Sequence, residues 1–163
     1  VNLASGLDVA VACAGADAVV VAPGPGVVGT GTSRGFSGLA VAGTIDAVAE
    51  AGGWPVLAVR FSESDPRARH QGISHHVTTT LSSTHHRALV PIPAGERPDP
   101  LPPPLAVHDL RTVEDIPDVD SLLRSAGLVV TTMGRSASDD PAFFRWSAAA
   151  GSAAGALAVA SSS

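Results

Sequence analysis

The stretch Asp17–Gly38, DAVVVAPGPGVVGTGTSRGFSG, joins a short β-branched run to a loop with an unusual number of glycines. The run Val19–Val21 stops at Pro23, and five glycines follow before Phe36. A loop that frees so many positions from a Cβ either turns very tightly or brings bare backbone N–H groups close to a ligand. The stretch therefore predicts a buried strand followed by a binding loop.

Segments typical of strands and helices alternate along the rest of the chain. Apolar runs predict strands at 18–22, 55–61, 88–92 and 128–132, and helical spacing predicts helices at 2–14, 39–51, 75–86, 118–126 and 141–160. This alternation predicts a single α/β domain over 1–163, with a three-layer, Rossmann-like fold. We expect a mostly parallel sheet of about four strands with helices on both faces, and a proline-rich surface loop at 93–104.

Composition restricts the classes of partner. The net charge is −5, which argues against nucleic acid and against an anionic membrane surface. The Ala-rich end, 148–160, is shorter than the ~20 residues needed to span a bilayer. A single cysteine, Cys13, and the lack of a visible secretory signal favour a reducing, cytoplasmic location. The start at Val1, without Met, suggests a piece of a longer protein.

The glycine loop resembles two nucleotide motifs but fits neither. Its G-x-G-x-x-G spacing should open a helix at once, whereas further glycines interrupt the chain, and no Lys follows for a P-loop. What fits is an anion nest for a phosphate or carboxylate, formed by Gly24, Gly26, Gly29, Thr30, Gly31 and Thr32. The alternative is a tight structural loop packed by Phe36.

A second polar stretch, Ser62–His76 (SESDPRARHQGISHH), concentrates ionisable side chains. Asp65, Arg67 and Arg69 alternate and would share one face of an extended segment. We expect both arginines, with His70, to bind the anion. His75 or His76 would act as general acid or base, with Asp65 orienting it. The alternative is that these histidines cap a helix or are solvated.

Spacing argues against a metal centre at this stage. Adjacent His75 and His76 point about 100° apart on a helix, and no zinc motif such as HExxH is present. No metal ligand is therefore assigned, and the cofactor is left unknown.

In a third loop, 133–140, Arg135 could reach the same anion as Arg67, while Asp140 before Pro141 fits a helix N-cap. All three loops follow predicted strands, where ligands bind in parallel sheets.

The three loops together resemble a known family. PGPGVVGTGTSRGFSG, RFSESDPRARHQGISHHVTTTL and VVTTMGRSASDDPAFF look like the signature blocks of the domain-of-unknown-function 3866 family. The resemblance implies a bacterial protein, of which this chain is the C-terminal half. It brings no activity, cofactor or catalytic residue.

The sequence thus leads to three hypotheses about function. The first is an enzyme, or the binding domain of one, that handles a small anionic metabolite. The second is a non-catalytic sensor or protein-interaction module. The third is a metal-dependent hydrolase. The oligomeric state is left unknown.

Overall fold

The computed structural model describes residues 2–24 and 26–161, so both ends of the predicted 1–163 domain lie outside the described residues. Its helices are α1 (Leu3–Asp8, continued by a π-helical turn at Val9–Cys13), α2 (Ala40–Glu50), α3 (His75–Leu81), α4 (Pro103–Ala106), α5 (Val119–Ser125) and α6 (Pro141–Ser161). Its strands are β1 (Phe61–Ser62), β2 (Gly72–Ile73), β3 (Leu89–Pro93) and β4 (Asp109–Val113). The mixed α/β class is confirmed.

The strands form two small sheets. β3 and β4 run parallel, with Leu89 opposite Asp109, and β1 pairs antiparallel with β2. Beside β3, Val56 forms a parallel bridge with Leu89, and the Leu57 N–H donates to the Leu89 carbonyl over 2.9 Å. The described residues therefore build a two-stranded parallel sheet extended by a single bridge, and not the single four-stranded sheet that alternation predicts.

Three of the four predicted strands account for the difference. Within 55–61, only Val56 forms a bridge beside β3, and only Phe61 belongs to a strand, in the other sheet. Residues 18–22 and 128–131 lie outside the helices and sheets, and Val20 and Val129 are 94% and 92% exposed. An apolar run shows a tendency to extend but does not name its partner strand. The opposite error concerns β4, whose polar sequence DLRTV gave no strand prediction although it pairs along its whole length with β3.

The core holds the site-bearing segments in place. Trp146 of α6 is fully buried, and its indole stacks on Phe61 of β1 with ring centroids 4.6 Å apart. The surrounding cluster is supplied by α2, α3, α4, β3 and the segments that lead into β1 and β3. It contains Ile45, Leu57, Val59, Val77, Leu81, Ala88, Val90, Ile92 and Leu105. Together these contacts fix β1 and α3, between which the polar loop 63–74 runs. None of the described helices is long and apolar enough to cross a membrane.

Candidate functional site

A buried carboxylate, Asp65, organises the loop between β1 and β2. Its side chain is fully buried, and Arg67 donates to both of its oxygens through Nε and Nη2, each over 2.9 Å. Arg60 adds a 2.8 Å bond from Nη2. These bonds, with that of Arg67 first, outweigh burial and hold the pKa of Asp65 well below its usual range. Asp65 is therefore ionised and holds two arginines in fixed positions.

Arg60 links this ion pair to His70. Its Nη1 lies 3.0 Å from His70 Nδ1, and the Ser74 hydroxyl lies 2.7 Å from the same nitrogen. On the other side of the ring, Arg69 Nε lies 3.3 Å from His70 Nε2. A neutral imidazole has one acceptor nitrogen, so the two arginines cannot both donate to it at once.

Three histidines converge beside these arginines. His70 ends a 3₁₀ turn at Ala68–His70, whereas His75 and His76 begin α3, which Ser74 caps through a bond from the His76 N–H. One nitrogen of each ring lies within 4.8 Å of the others. The argument from helix geometry that His75 and His76 diverge too far is therefore wrong. The angle of about 100° applies to the Cα–Cβ bonds of the two residues. Rotation about their side-chain bonds brings both rings to the same side, next to His70.

The environment keeps the histidines uncharged. Burial is the main cause that lowers the pKa of His70 and of His76 to about 4, and the charge of Arg60 acts in the same direction on both. The pKa of His75 is also lowered, again chiefly by burial and then by Arg69. At neutral pH all three rings are consequently neutral, and each keeps a nitrogen lone pair.

A second carboxylate, Asp140, ties the third loop to this group. Its Oδ2 accepts from the buried Ser62 hydroxyl over 2.6 Å and from Arg135 Nε over 3.1 Å. Arg135 Nη2 also lies 3.6 Å from Asp65 Oδ2. Arg135 and Arg67 therefore both lie beside the Asp65 carboxylate, and their contact with a shared bound anion stays a prediction. We call the connected set the arginine–histidine cluster: Arg60, Asp65, Arg67, Arg69, His70, His75, His76, Arg135 and Asp140.

This cluster contains polar atoms whose bonding is incomplete. Among the described residues, three side-chain atoms are buried without a hydrogen-bond partner: His75 Nε2, Arg135 Nη2 and Asp140 Oδ1. All three belong to the arginine–histidine cluster. Buried polar groups are rarely left unpaired, and such a group commonly marks a bound water, ion or ligand.

The glycine loop is built differently. Residues 28–37 form an exposed hairpin in which the Thr30 N–H donates to the Gly35 carbonyl over 2.7 Å, and the Ser37 N–H donates to Val28. The Thr30 hydroxyl bonds within the same hairpin, to Thr32 and to Gly35. The hairpin ends at the buried Phe36, whose ring stacks on His76 at 4.1 Å between centroids. The predicted loop residues Gly24, Gly26, Gly29, Thr30, Gly31 and Thr32 are all exposed.

Sequence reasoning missed several members of this region. Arg60, Ser62 and the contact of Ser74 with His70 were not predicted. For Arg60 a signal existed, because it is the one charged residue in the apolar run Pro55–Phe61. Ser62 gives no comparable signal, since its partner Asp140 lies 78 positions away.

Comparison with known proteins adds a family. No curated protein and no solved structure matches this sequence significantly. A family model described as a protein of unknown function, DUF3866, matches residues 1–151 of the 163. The match takes in all three polar loops and agrees with the resemblance they carry. This chain belongs to the DUF3866 family.

Proposed function

We propose that the arginine–histidine cluster binds a small anionic metabolite through a phosphate or carboxylate group. The observation that carries this proposal is the location of the partnerless buried atoms, all of which lie in the cluster. A ligand that presents oxygen acceptors and a hydroxyl would satisfy Arg135 Nη2 and Asp140 Oδ1 together.

The charge balance supports an anion over a neutral ligand. Four arginines, Arg60, Arg67, Arg69 and Arg135, face two carboxylates, and the three histidines are neutral at pH 7. The cluster therefore carries two positive charges in excess. A planar guanidinium is suited to bind carboxylate or phosphate in a bidentate manner.

The arginines differ in how many of their guanidinium N–H donors are already used by protein groups. Asp65 already occupies two donors of Arg67, whereas Arg69 is exposed and its described side-chain contact is with His70. We therefore expect Arg69 and Arg135 to supply most of the binding. Arg67 would act mainly by holding Asp65 in place.

The remaining predicted roles stay predictions. His75 and His76 remain the candidates for general acid or base; as neutral rings each could accept a proton, but as a weak base because its pKa is lowered. Asp65 contacts arginines and reaches His70 through Arg60, so its part in orienting a histidine would be indirect. The glycine loop would contribute as an outer wall through Phe36, whose ring stacks on His76, and a direct contact of its glycine N–H groups with the anion stays a prediction.

The test is anion binding to the full chain in the presence of a chelator. Inorganic phosphate, small carboxylates and phosphorylated metabolites are screened by thermal shift, and each hit is then assayed for turnover. A ligand at about 100 times its dissociation constant adds roughly 2.7 kcal/mol of stability. We expect Arg69→Gln to weaken binding at least about tenfold, the usual scale of a lost charge-assisted bond.

Arg111→Gln, at an exposed arginine on β4, is the matched control and should bind as the wild type does. The proposal fails if no anion stabilises the wild type, or if both variants lose affinity equally.

A further inference from the structure

We propose that His70, His75 and His76 form a binding site for one divalent transition-metal ion of the class that favours imidazole ligands, such as Zn²⁺. This inference goes beyond anion binding and does not depend on it. In this site the histidine lone pairs hold a cation, so they would replace the proton-accepting role proposed above.

The number and identity of the ligands fit such an ion. Catalytic Zn²⁺ sites commonly have three protein ligands and one open coordination position, and neutral imidazole is a preferred donor. The three nitrogens lie within 4.8 Å of one another. In a tetrahedral site with bonds of 2.0–2.1 Å, ligand atoms are about 3.3 Å apart, so small side-chain rotations would close the site.

A ring nitrogen of His75 has no other described use. His75 Nε2 is buried and has no hydrogen-bond partner. Its ring is surrounded by the rings of Phe36, His70 and His76, with centroids 4.3–5.9 Å away. In the tautomer with the proton on Nδ1, this buried nitrogen offers a lone pair to a metal ion, and two further imidazoles lie within reach.

The neighbours of His70 fit the same role. When its proton is on Nδ1, His70 donates to the Ser74 hydroxyl 2.7 Å away and keeps the Nε2 lone pair. Metal-binding histidines usually donate their second ring nitrogen in this way. In this tautomer Arg60 Nη1, which lies 3.0 Å from Nδ1, can no longer donate to the ring and must shift, while Nη2 keeps its bond to Asp65. Among the described residues, the exposed Arg69 donates to Nε2, and its side chain can turn away.

The charge of the nearby arginines determines which kind of ligand the ion would take at its open coordination position. Positive charge nearby opposes cation binding, and none of the three ligands is a carboxylate that would offset it. An anion at the fourth position would offset this charge and contact both the ion and an arginine. Metal and anion should therefore strengthen each other's binding, by the same factor in both directions.

The test is a titration of the chelator-treated full chain with Co²⁺ alone, followed in the visible range, where tetrahedral Co²⁺ absorbs strongly. We expect one Co²⁺ per chain, displaced by Zn²⁺. His75→Gln and His76→Gln should each lower the affinity more than about 100-fold, and Ser74→Ala about tenfold, since loss of an outer partner costs 10–100-fold. Added phosphate should raise the Co²⁺ affinity of the wild type.

His85→Gln is the matched control, because His85 is an exposed histidine outside the cluster and should bind Co²⁺ as the wild type does. Since His70 is buried, His70→Gln is interpreted only if its circular dichroism matches the wild type. No saturable visible band in the wild type would overturn the metal site, as would wild-type affinity in both His75→Gln and His76→Gln. The phosphate assay with chelator is independent, so either proposal can fail alone.

Discussion

The arginine–histidine cluster and the glycine-rich hairpin are both predicted from the sequence to hold an anion, yet they are built in opposite ways. In the cluster, a fully buried Asp65 fixes Arg60 and Arg67, and the buried Nη2 of Arg135 beside it has no described hydrogen-bond partner. In the hairpin, the Thr30 amide and hydroxyl bond to the hairpin itself, and the loop is exposed. Glycines leave backbone groups accessible, but they do not keep those groups free for a ligand.

If the cluster depends on Asp65, removing that carboxylate should have the largest effect on stability. Asp65→Ala leaves Arg60 and Arg67 without their shared anion, and breaking a buried pair costs 3–5 kcal/mol. Because Arg60 and Arg67 are 24% and 40% exposed, we expect the lower end, about 3 kcal/mol, in urea unfolding at pH 7.

The control for this change is Asp109→Ala, which breaks the exposed pair with Arg87. It should cost less than about 1 kcal/mol. Equal losses in the two variants would mean that burial gives Asp65 no special role.

Acid should weaken the cluster and leave the hairpin unaffected. The folded pKa of Asp65 is depressed below the unfolded value of about 3.9, so its contribution to stability is present above that pH. It is lost as the pH falls through the folded pKa. The free energy of unfolding of the wild type should therefore fall more steeply below about pH 4 than that of Asp65→Asn.

The measurement is urea unfolding of both proteins at several pH values between 7 and the acid limit of folding. Other carboxylates and the histidines are common to both proteins and largely cancel in the difference. Parallel curves would show that Asp65 has an ordinary pKa in the folded protein.

What the sequence could predict was local, and what it missed was pairing across distance. Helix α2 follows from the spacing of apolar residues within 39–51 and is observed at Ala40–Glu50. The four-stranded sheet and the Ser62–Asp140 bond depend on distant partners, which local patterns do not specify. The ion pair of Arg67 with Asp65, two residues away, was not predicted, and the contact of Arg67 with a bound anion stays a prediction.

Ser62 tests that long-range connection. Its hydroxyl donates to Asp140, whose other oxygen has no partner, so Ser62→Ala removes one of the two described donors to a buried carboxylate. We expect a loss of about 1–2 kcal/mol by urea unfolding. The control is Ser64→Ala, two residues after Ser62, which removes an exposed hydrogen bond to the Asp139 carbonyl. It should cost under about 0.5 kcal/mol. A Ser62 effect as small as that would mean that water replaces the hydroxyl.

The smallest effect is expected in the hairpin, where Gly31 has a φ of 82°. A Cβ costs about 1–2 kcal/mol in this conformation, and because the loop is exposed it can relax, so Gly31→Ala should cost no more than about 1 kcal/mol. If the cluster provides the binding, this variant keeps phosphate affinity within about threefold, whereas Arg69→Gln loses at least tenfold.

Gly35→Ala separates the two roles of the loop. A Cβ there would collide with the Thr30 and Thr32 hydroxyls and displace the hairpin that carries Phe36 onto His76. Loss of binding in Gly35→Ala but not in Gly31→Ala would assign the hairpin to positioning Phe36. The reverse result would restore the backbone cradle, and the anion would then bind at the glycines.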